Sequence, residues 1–537
     1  MVIAAVITFQ TAAAPAQMII AVNQVGYLPN DSKIAVISCA EPAGNDLFTV
    51  EREDGSPAFR GRLSADFGAY LAFAHNYRAD FSAVREKGRY RIVLELASSP
   101  SFEINDDVYS SLPDSLLRFF VVQRCGPTSP QLHRECHLYD VTGVMSRMGR
   151  TKEKLDLTGG WHDAGDYIKF TITTSYAAYL LLLTAESFPR LSGPLLSEAR
   201  IGLDWLMKMH PKPGRLLTQV QDISDHSVGW RLPEDDPLAK GRIACEYPSR
   251  AQAASFAAAM AIGSRLYRSS GDSTYAEVCL QHAKDAYLLA AGSRLSAADC
   301  PADSHYCDLE SRDNIALAAA ELFAATGEKA YLDSATTLLK ELGAGGWVSW
   351  GDLEGFACRR LSPYWPTGLE LLHATLERFN STAAKNPYFY PSVEYPWGTL
   401  SLQTGIAVLA LLYCQLTGDE NYLQLATRQR DFLLGANPYS ISMMSGVGGD
   451  WPRRMHHQTA IIKGVQLPGA VAGGLTSRKL FEKSGIQLET PDRFAALQSA
   501  ETVFHDDRND YLTNEPTISG NAQALFLISW FSSRAGR

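Results

Sequence analysis

Between Gly159 and Phe170 the chain reads GGWHDAGDYIKF, and within it Asp163 and Asp166 are separated only by Ala164 and Gly165. Small residues between two carboxylates let the backbone turn tightly and aim both side chains at one point, which suits gripping a single water molecule. An isolated Asp-x-x-Asp is most often a solvated turn or a calcium loop. Here Trp161, Tyr167 and Phe170 crowd the loop with rings, which a solvated turn does not need and which the wall of a sugar-binding cleft would use. A third carboxyl group completes the chemistry. Near the C-terminus, FHDDRNDYLTNEPTISGNA carries Glu515 after Asp506, Asp507 and Asp510. A glutamate just before a helix commonly only complements its dipole. Pro516 fixes the turn beside this one, however, and Asn514 and Asn521 are expected to hold its carboxyl group. Carboxyl groups from two distant parts of a chain, one basic and one able to donate a proton, are the minimum equipment for cleaving a glycosidic bond.

Two further groups of residues have chemical types. SMMSGVGGDWPRRMHHQ places His456 and His457 in a Gly-rich loop close to Trp451. Adjacent side chains tend to point apart, so the pair is read as sugar contact or packing in preference to a metal pair. Cys125, Cys136, His137 and His162 form a Cys2His2 set whose last member directly precedes Asp163. Two readings stay open there. The spacing is wider than a zinc finger's, and in an exported chain a Cys125 to Cys136 disulfide is the default, yet the four residues together could hold a structural zinc.

With 537 residues, 46% of them hydrophobic, the chain can bury a large core in more than one domain. A net charge of -9 without a basic run argues against nucleic acid and anionic membranes, and favours a neutral or cationic ligand. The opening MVIAAVITFQTAAAPAQ resembles the end of a secretory signal without its usual basic residues. Residues 1–17 are therefore expected to be a signal-peptide remnant and the protein to be secreted or periplasmic. No apolar stretch is expected to reach bilayer-spanning length. Nine cysteines, an odd number, leave at least one thiol free or metal-bound.

These groups must be positioned by two kinds of element. From Met18 to Ile104, short alternating runs at 18–22, 33–38, 47–50, 89–96 and 101–104, separated by turn residues, read as strands of a small immunoglobulin-like sandwich. After Asn105, apolar periodicity predicts helices at 109–122, 173–188, 195–209, 250–267, 275–291, 313–325, 330–342, 367–378, 400–416, 421–434, 493–503 and 519–533. A local repeat joins some of them: Ser270-Gly271-Asp272 with Tyr275, Thr326-Gly327-Glu328 with Tyr331, and Thr417-Gly418-Asp419 with Tyr422. Glycine can end one helix in the left-handed conformation, the acidic residue favours the start of the next, and the tyrosine packs the corner. Repeated helix hairpins predict a multi-domain chain: an all-β sandwich at 18–105, then an all-α (α/α)6 toroid at 106–537.

Together these segments resemble glycoside hydrolase family 9, the inverting β-1,4-glucanases, in the subgroup with an N-terminal immunoglobulin-like module. The resemblance rests on NQVGYLP at Asn23 to Pro29, on GGWHDAGDYIKF, on Met455-His456-His457-Gln458, and on the spacing of Phe504, Asp506, Tyr511, Glu515, Thr517, Asn521 and Ala522. It implies that Asp166 is the general base, that Asp163 helps hold the water and that Glu515 is the general acid. His456, Trp397, Tyr511, His226, Trp230 and the Gln458 position would contact sugar. No catalytic cofactor is implied. A zinc at the Cys2His2 set is implied, and calcium at Glu310, Asp313, Asn314 and Asp352. The implied partner is a β-linked oligo- or polysaccharide.

Two positions depart from the family pattern: Gln458 and Ser401 stand where arginines are usual. They predict a preference shifted toward short or partly cationic sugars. An exo-acting enzyme on short oligosaccharides, including an exo-β-glucosaminidase, is the second reading, and a binding protein without catalysis the third. Retention of all three carboxyl groups speaks against the third.

Overall fold

The computed structural model describes residues 18–140, 143–292, 295, 306–345 and 348–534, so the leader expected at 1–17 lies outside the described residues. Nine strands come first: β1 (Met18–Ala21), β2 (Gly26–Tyr27), β3 (Ile34–Cys39), β4 (Leu47–Arg52), β5 (Pro57–Arg62), β6 (His75–Asp80), β7 (Gly88–Leu94), β8 (Ala97–Ser98) and β9 (Phe102–Ile104). They form one sheet in the order β1-β3-β6 and another in the order β2-β9-β7-β4-β5, with β8 against β7. Alternate residues face inward, so Ile20, Tyr27, Ile37, Phe48, Val50, Phe81, Ile92, Phe102 and Ile104 share one core. This is an immunoglobulin-like β-domain. Strands β5 and β6 were not expected, because PAFRGR and HNYRAD lack an apolar face. In β6 only Asn76 and Ala79 are buried, and six backbone pairs with β3 carry the strand.

The rest is largely helical: α1 (Leu112–Gln123), α2 (Thr171–Ser187), α3 (Ser192–Met209), α4 (Arg250–Ser269), α5 (Ser273–Ala291), α6 (Arg312–Thr326), α7 (Lys329–Leu342) and α8 (Glu354–Leu361). Then follow α9 (Thr367–Ala384), α10 (Thr399–Thr417), α11 (Leu423–Leu433), α12 (Gln458–Lys463), α13 (Arg478–Ser484), α14 (Tyr511–Asn514) and α15 (Ile518–Ser532). Helices α2, α4, α10 and α15 are buried on nearly every side, as apolar residues all round a helix require. Helix α2 packs on α4, α4 on α6, α6 on α8, α8 on α10, α10 on α15, and α15 on α2 again. Outside them, α3, α5, α7, α9 and α11 each pack on two successive inner helices, and α1 packs on α15. The connecting glycines behave as their spacing predicts: Gly271, Gly327 and Gly418 have φ of +95°, +73° and +69°. Each following tyrosine stands edge-on to an earlier ring, Tyr275 to Tyr267, Tyr331 to Tyr287 and Tyr422 to Tyr413.

Three expectations are corrected. Residues 493–503 are not a helix beyond the single turn at Ala495–Leu497; the segment ends in a two-residue strand, and Gln498 spends its side chain on Phe504 and Asp492. The missing helix is α8, EGFACRRL, hidden because Arg360 breaks the apolar pattern. Arg360 instead joins Glu186 and Glu321 in a buried ion network with Arg265, which hydrophobic periodicity cannot register. Helix α10 is long and apolar enough to cross a membrane by length and composition, yet 83% of its apolar window is buried, and it belongs to the core.

The NQVGYLP motif docks the two parts. Asn23 donates to Tyr109 Oη at 3.0 Å and to Asp431 Oδ1 at 2.9 Å, and Arg430 pairs with Asp31 at 2.8 Å.

Candidate active site

The GGWHDAGDYIKF loop is anchored by the rings that its sequence suggested as sugar walls. Trp161 is fully buried, with its ring against Gly202 of α3, where a Cβ would come within 2.2 Å, and its Nε1 donates to Glu198 at 2.9 Å. Tyr167 and Phe170 are buried as well. These rings therefore fix the loop and do not line a cleft, because aromatic area gains most when water is wholly excluded.

Thus held, the loop presents its carboxylates. Asp166 Oδ1 accepts from the Ile168 amide at 3.0 Å, and Oδ2 accepts from His226 Nε2 at 2.7 Å. Burial pushes Asp166 up, but the His226 hydrogen bond and charge and the Ile168 amide outweigh it and hold the carboxyl below its ordinary value. His226 is raised in turn, chiefly by that bond. It was expected as a wall residue; the structure makes it the partner of Asp166. Asp163 is buried, with Oδ2 accepting from Tyr306 Oη at 2.5 Å, while Oδ1 has no hydrogen-bond partner among the described residues. Burial, opposed by donors that include the Tyr306 hydroxyl, pushes it up to about 7.

Glu515 arrives from the other end of the chain. Its Oε1 accepts from the Gly165 amide at 2.9 Å and lies 3.9 Å from His456 Nε2. Burial first, then the charges of Asp166 and Asp163, push Glu515 well above the ordinary glutamate range. Asn514 and Asn521 do not hold it: Asn514 donates to the Arg454 and Asp507 carbonyls, and Asn521 to that of Gly469. Gly165 takes their place. Its position admits no side chain, since a Cβ would fall 2.0 Å from the His456 carbonyl oxygen.

His456 Nδ1 donates to the Arg508 carbonyl at 2.5 Å, and burial lowers its pKa, so the neutral ring turns an acceptor, Nε2, toward Glu515. Its ring is 5.3 Å from Trp230 and 6.0 Å from Tyr511, and Tyr511 is 5.4 Å from the half-exposed Trp397. The four make one aromatic wall. His457 points away, as adjacent side chains do: it is buried, with Nε2 2.8 Å from Gln123 Oε1. Gln458, expected as a sugar contact, is turned inward. It is buried, its amide donates to the Gly165 carbonyl at 3.0 Å, and its side chain accepts from the Arg231 amide at 3.1 Å. Ser401 is likewise spent on Ser349 and Gln523. The expected vacancies for a cationic sugar are thus filled by internal hydrogen bonds.

Cys125, Cys136, His137 and His162 converge, all buried, with donor atoms within 4.8 Å of one another. Both cysteines are free thiols, so no disulfide joins them. Cys125 Sγ lies 3.6 Å from His137 Nδ1, Cys136 Sγ 3.8 Å from His162 Nε2, and the two nitrogens 3.3 Å apart. Tetrahedral zinc with nitrogen and sulfur ligands requires edges of roughly 3.3 to 3.8 Å. His137 Nε2 donates to Asp236 Oδ2 at 3.0 Å, the outer carboxylate that orients a metal-binding imidazole. The residues present fit the ion.

The residues expected to bind calcium form no cluster of three or more metal-type donors among the described residues. Glu310 pairs with Arg312 at the surface, Asp313 Oδ2 accepts from Leu353, and Asn314 donates to Ser255. Among the described residues, the Cys/His set is the one metal-type cluster of three or more such donors.

Sequence reading missed Tyr306, which lies in an irregular loop without a motif, and Gln123. The Gln123 side chain donates to the carbonyls of His162 and Ala164, at 3.1 and 2.6 Å, while accepting from His457. Its place two residues before Cys125 was the only signal.

The profile of glycosyl hydrolase family 9 matches residues 109–528, and that of the cellulase N-terminal ig-like domain matches residues 16–99. The chain belongs to glycosyl hydrolase family 9. A xyloglucan-specific endo-beta-1,4-glucanase of Bacteroides ovatus is 26% identical over 565 residues, covering 95% of this chain and 93% of its own. A cellodextrinase of Butyrivibrio fibrisolvens is 26% identical over 560 residues, 95% of this chain and 98% of its own. The solved structure of a Zn-binding triple mutant of a family 9 endoglucanase matches with TM-score 0.79 at 26% identity, over 94% of this chain and 99% of that one. This family 9 protein is thus a glycoside hydrolase.

Gly165→Ala is expected to lower kcat by about 10²-fold or more, because its methyl group would push apart the loops carrying Asp166 and Glu515, and displacement of reacting groups by about 1 Å has that effect. Steady-state kinetics, with circular dichroism showing retained secondary structure, checks it.

Proposed function

We propose that this family 9 enzyme hydrolyses β-1,4-linked glucans and cello-oligosaccharides with inversion at the anomeric carbon. The observation that carries the reading is the opposed environment of two carboxyl groups beside one aromatic wall. Asp166 is held ionised by His226, whereas Glu515 is held protonated by burial and neighbouring charge. Such a split assigns base and acid. Asp166 takes a proton from a water whose oxygen attacks the anomeric carbon. Glu515 delivers its proton to the glycosidic oxygen as the carbon–oxygen bond breaks, and the new hydroxyl stands on the opposite face. Asp163, tied to Tyr306, helps hold the water. His456, Trp230, Tyr511 and Trp397 receive sugar faces and hydroxyls, as rings beside a polar acceptor suit. The names of the two curated relatives favour a β-1,4-glucan substrate.

The closed succession of six inner and six outer helices supports an (α/α)6 toroid with this cleft at one end. The apolar leader supports export, to the periplasm or the medium. Cys125, Cys136, His137 and His162 would hold one zinc. With all four positions filled by protein ligands, such an ion would be structural, and the four residues would tie the segment before Asp163 to the chain just after α1.

Asp166→Ala and Glu515→Gln should each lose at least about 10²-fold to 10⁴-fold in kcat on cello-oligosaccharides. Proton NMR of the first product should find the α-anomer; a β-anomer would remove Asp166 from the base role.

His226→Ala removes what keeps Asp166 low. The acidic limb of kcat/KM, which reports ionisation of the base in the free enzyme, should then move to higher pH. An unmoved limb would mean that another group titrates there.

Metal analysis should find one zinc per chain, lost in Cys125→Ser together with a lower Tm. Zinc content unchanged by that substitution would place the ion elsewhere.

A further inference from the structure

We propose that the β-domain is part of the substrate-binding apparatus, because it sets the position of Trp397 through a clamp on the connection between α9 and α10. The proposal rests on the reading of Trp397 as a sugar platform.

Residues 385–398 join the two helices without regular structure, and Trp397 stands near their end with 51% of its surface exposed. The indole meets Tyr511 on one side, 5.4 Å between ring centres, and is half exposed otherwise, so the backbone beneath it helps to set its position. Three side chains of the β-domain grip that connection, one through its backbone and two through tyrosine hydroxyls. Arg78, on β6, donates to the carbonyls of Ala384, Asn386 and Pro387, and its guanidinium lies 3.5 Å from the centre of the Phe389 ring. Ser38, on β3, shares a buried 2.7 Å hydrogen bond with Tyr388 Oη. Tyr70, between β5 and β6, shares a 2.9 Å hydrogen bond with Tyr395 Oη.

The grip is passed along the loop to the tryptophan. The Asn386 side chain bonds both the amide and the carbonyl of Tyr390, at 2.9 and 2.8 Å. The Tyr390 ring stacks on Tyr395 at 4.8 Å with 5° between the planes. Tyr395 lies two residues before Trp397, and its carbonyl accepts from the Ser477 amide at 2.9 Å on the side away from the hydroxyl contact. Between them, Pro396 locks φ. Beyond, Gly398 adopts φ +65° against Gly473, where a Cβ would come 3.2 Å from the carbonyl oxygen. Little rotation is left between Tyr395 and the start of α10, so a shift of the Tyr395 ring reaches Trp397. Had the β-domain served only to cover the helical domain, contacts at Arg78 and Ser38 would suffice. The hydroxyl pair at Tyr70 adds a polar restraint at the loop's end nearest the sugar wall.

The test is a double-mutant cycle with Tyr70→Phe, Trp397→Ala and both together, read as KM and kcat on cellohexaose with Tm as a control on folding. Tyr70→Phe deletes one hydroxyl and keeps the ring. It should raise KM about three- to tenfold, the range that one lost hydrogen bond gives, with kcat within about twofold. In the double variant, KM should equal that of Trp397→Ala alone, because residues acting through one contact are not additive. Additive effects, or a Tyr70→Phe variant whose Tm falls while KM stays, would overturn the clamp. An unchanged KM in Trp397→Ala would instead overturn the platform reading itself, whereas a raised KM there with none in Tyr70→Phe would sink the clamp alone.

Discussion

The hydrogen bond from the Gly165 amide to Glu515 Oε1 joins two halves of a site that are 350 residues apart in the chain. It forms only because position 165 has no side chain: the His456 carbonyl comes so close that any Cβ would overlap it. The Gly165 carbonyl in turn accepts from the Gln458 amide, so both faces of one peptide segment are bound to the C-terminal loops. Asp166, Glu515 and His456 are thereby joined through one peptide segment, which the proposed acid-base roles would require of groups acting in a single transition state.

That unit stands on a buried polar layer. Gln123 ties the catalytic loop to His457, the Cys/His set closes on the same segment, and Asp236 links His137 to Arg231, whose amide holds Gln458. Buried polar groups are costly unless each is paired, so every link is satisfied only while the others hold their places. Gln458 is best understood in this setting. Its side chain accepts from the Arg231 amide and its own amide donates to the Gly165 carbonyl, so a neutral side chain is drawn into the supporting layer.

Periodicity made most of the fold legible. The α10 and α15 segments are apolar all round and could only be core helices, and the glycines of the three connectors needed a left-handed conformation that placed the turns. It failed where side chains other than apolar ones fill the interior: α8 enters through Arg360 bonded to the buried Glu321 and the partly buried Glu186, and β6 mainly through backbone pairing with β3. The site was legible as residue types in motifs, while the assignment of neighbours was not. Trp161 read as a sugar platform because rings on a loop suggest one, and burial against Gly202 assigns it to the core.

By itself, the sequence determined that carboxyl groups of both kinds exist, that two cysteines and two histidines accompany them, and that a β-domain precedes paired helices, since composition and local spacing carry that information. Only the tertiary structure decided which carboxyl group is held ionised and which protonated. It also decided that His226 is the hydrogen-bond partner of Asp166, and that Tyr70 of the β-domain meets Tyr395 of the helical domain. Ionisation follows from burial and from charges a few ångströms away. Those distances come from chain segments separated by tens to hundreds of residues, so no local pattern can encode them.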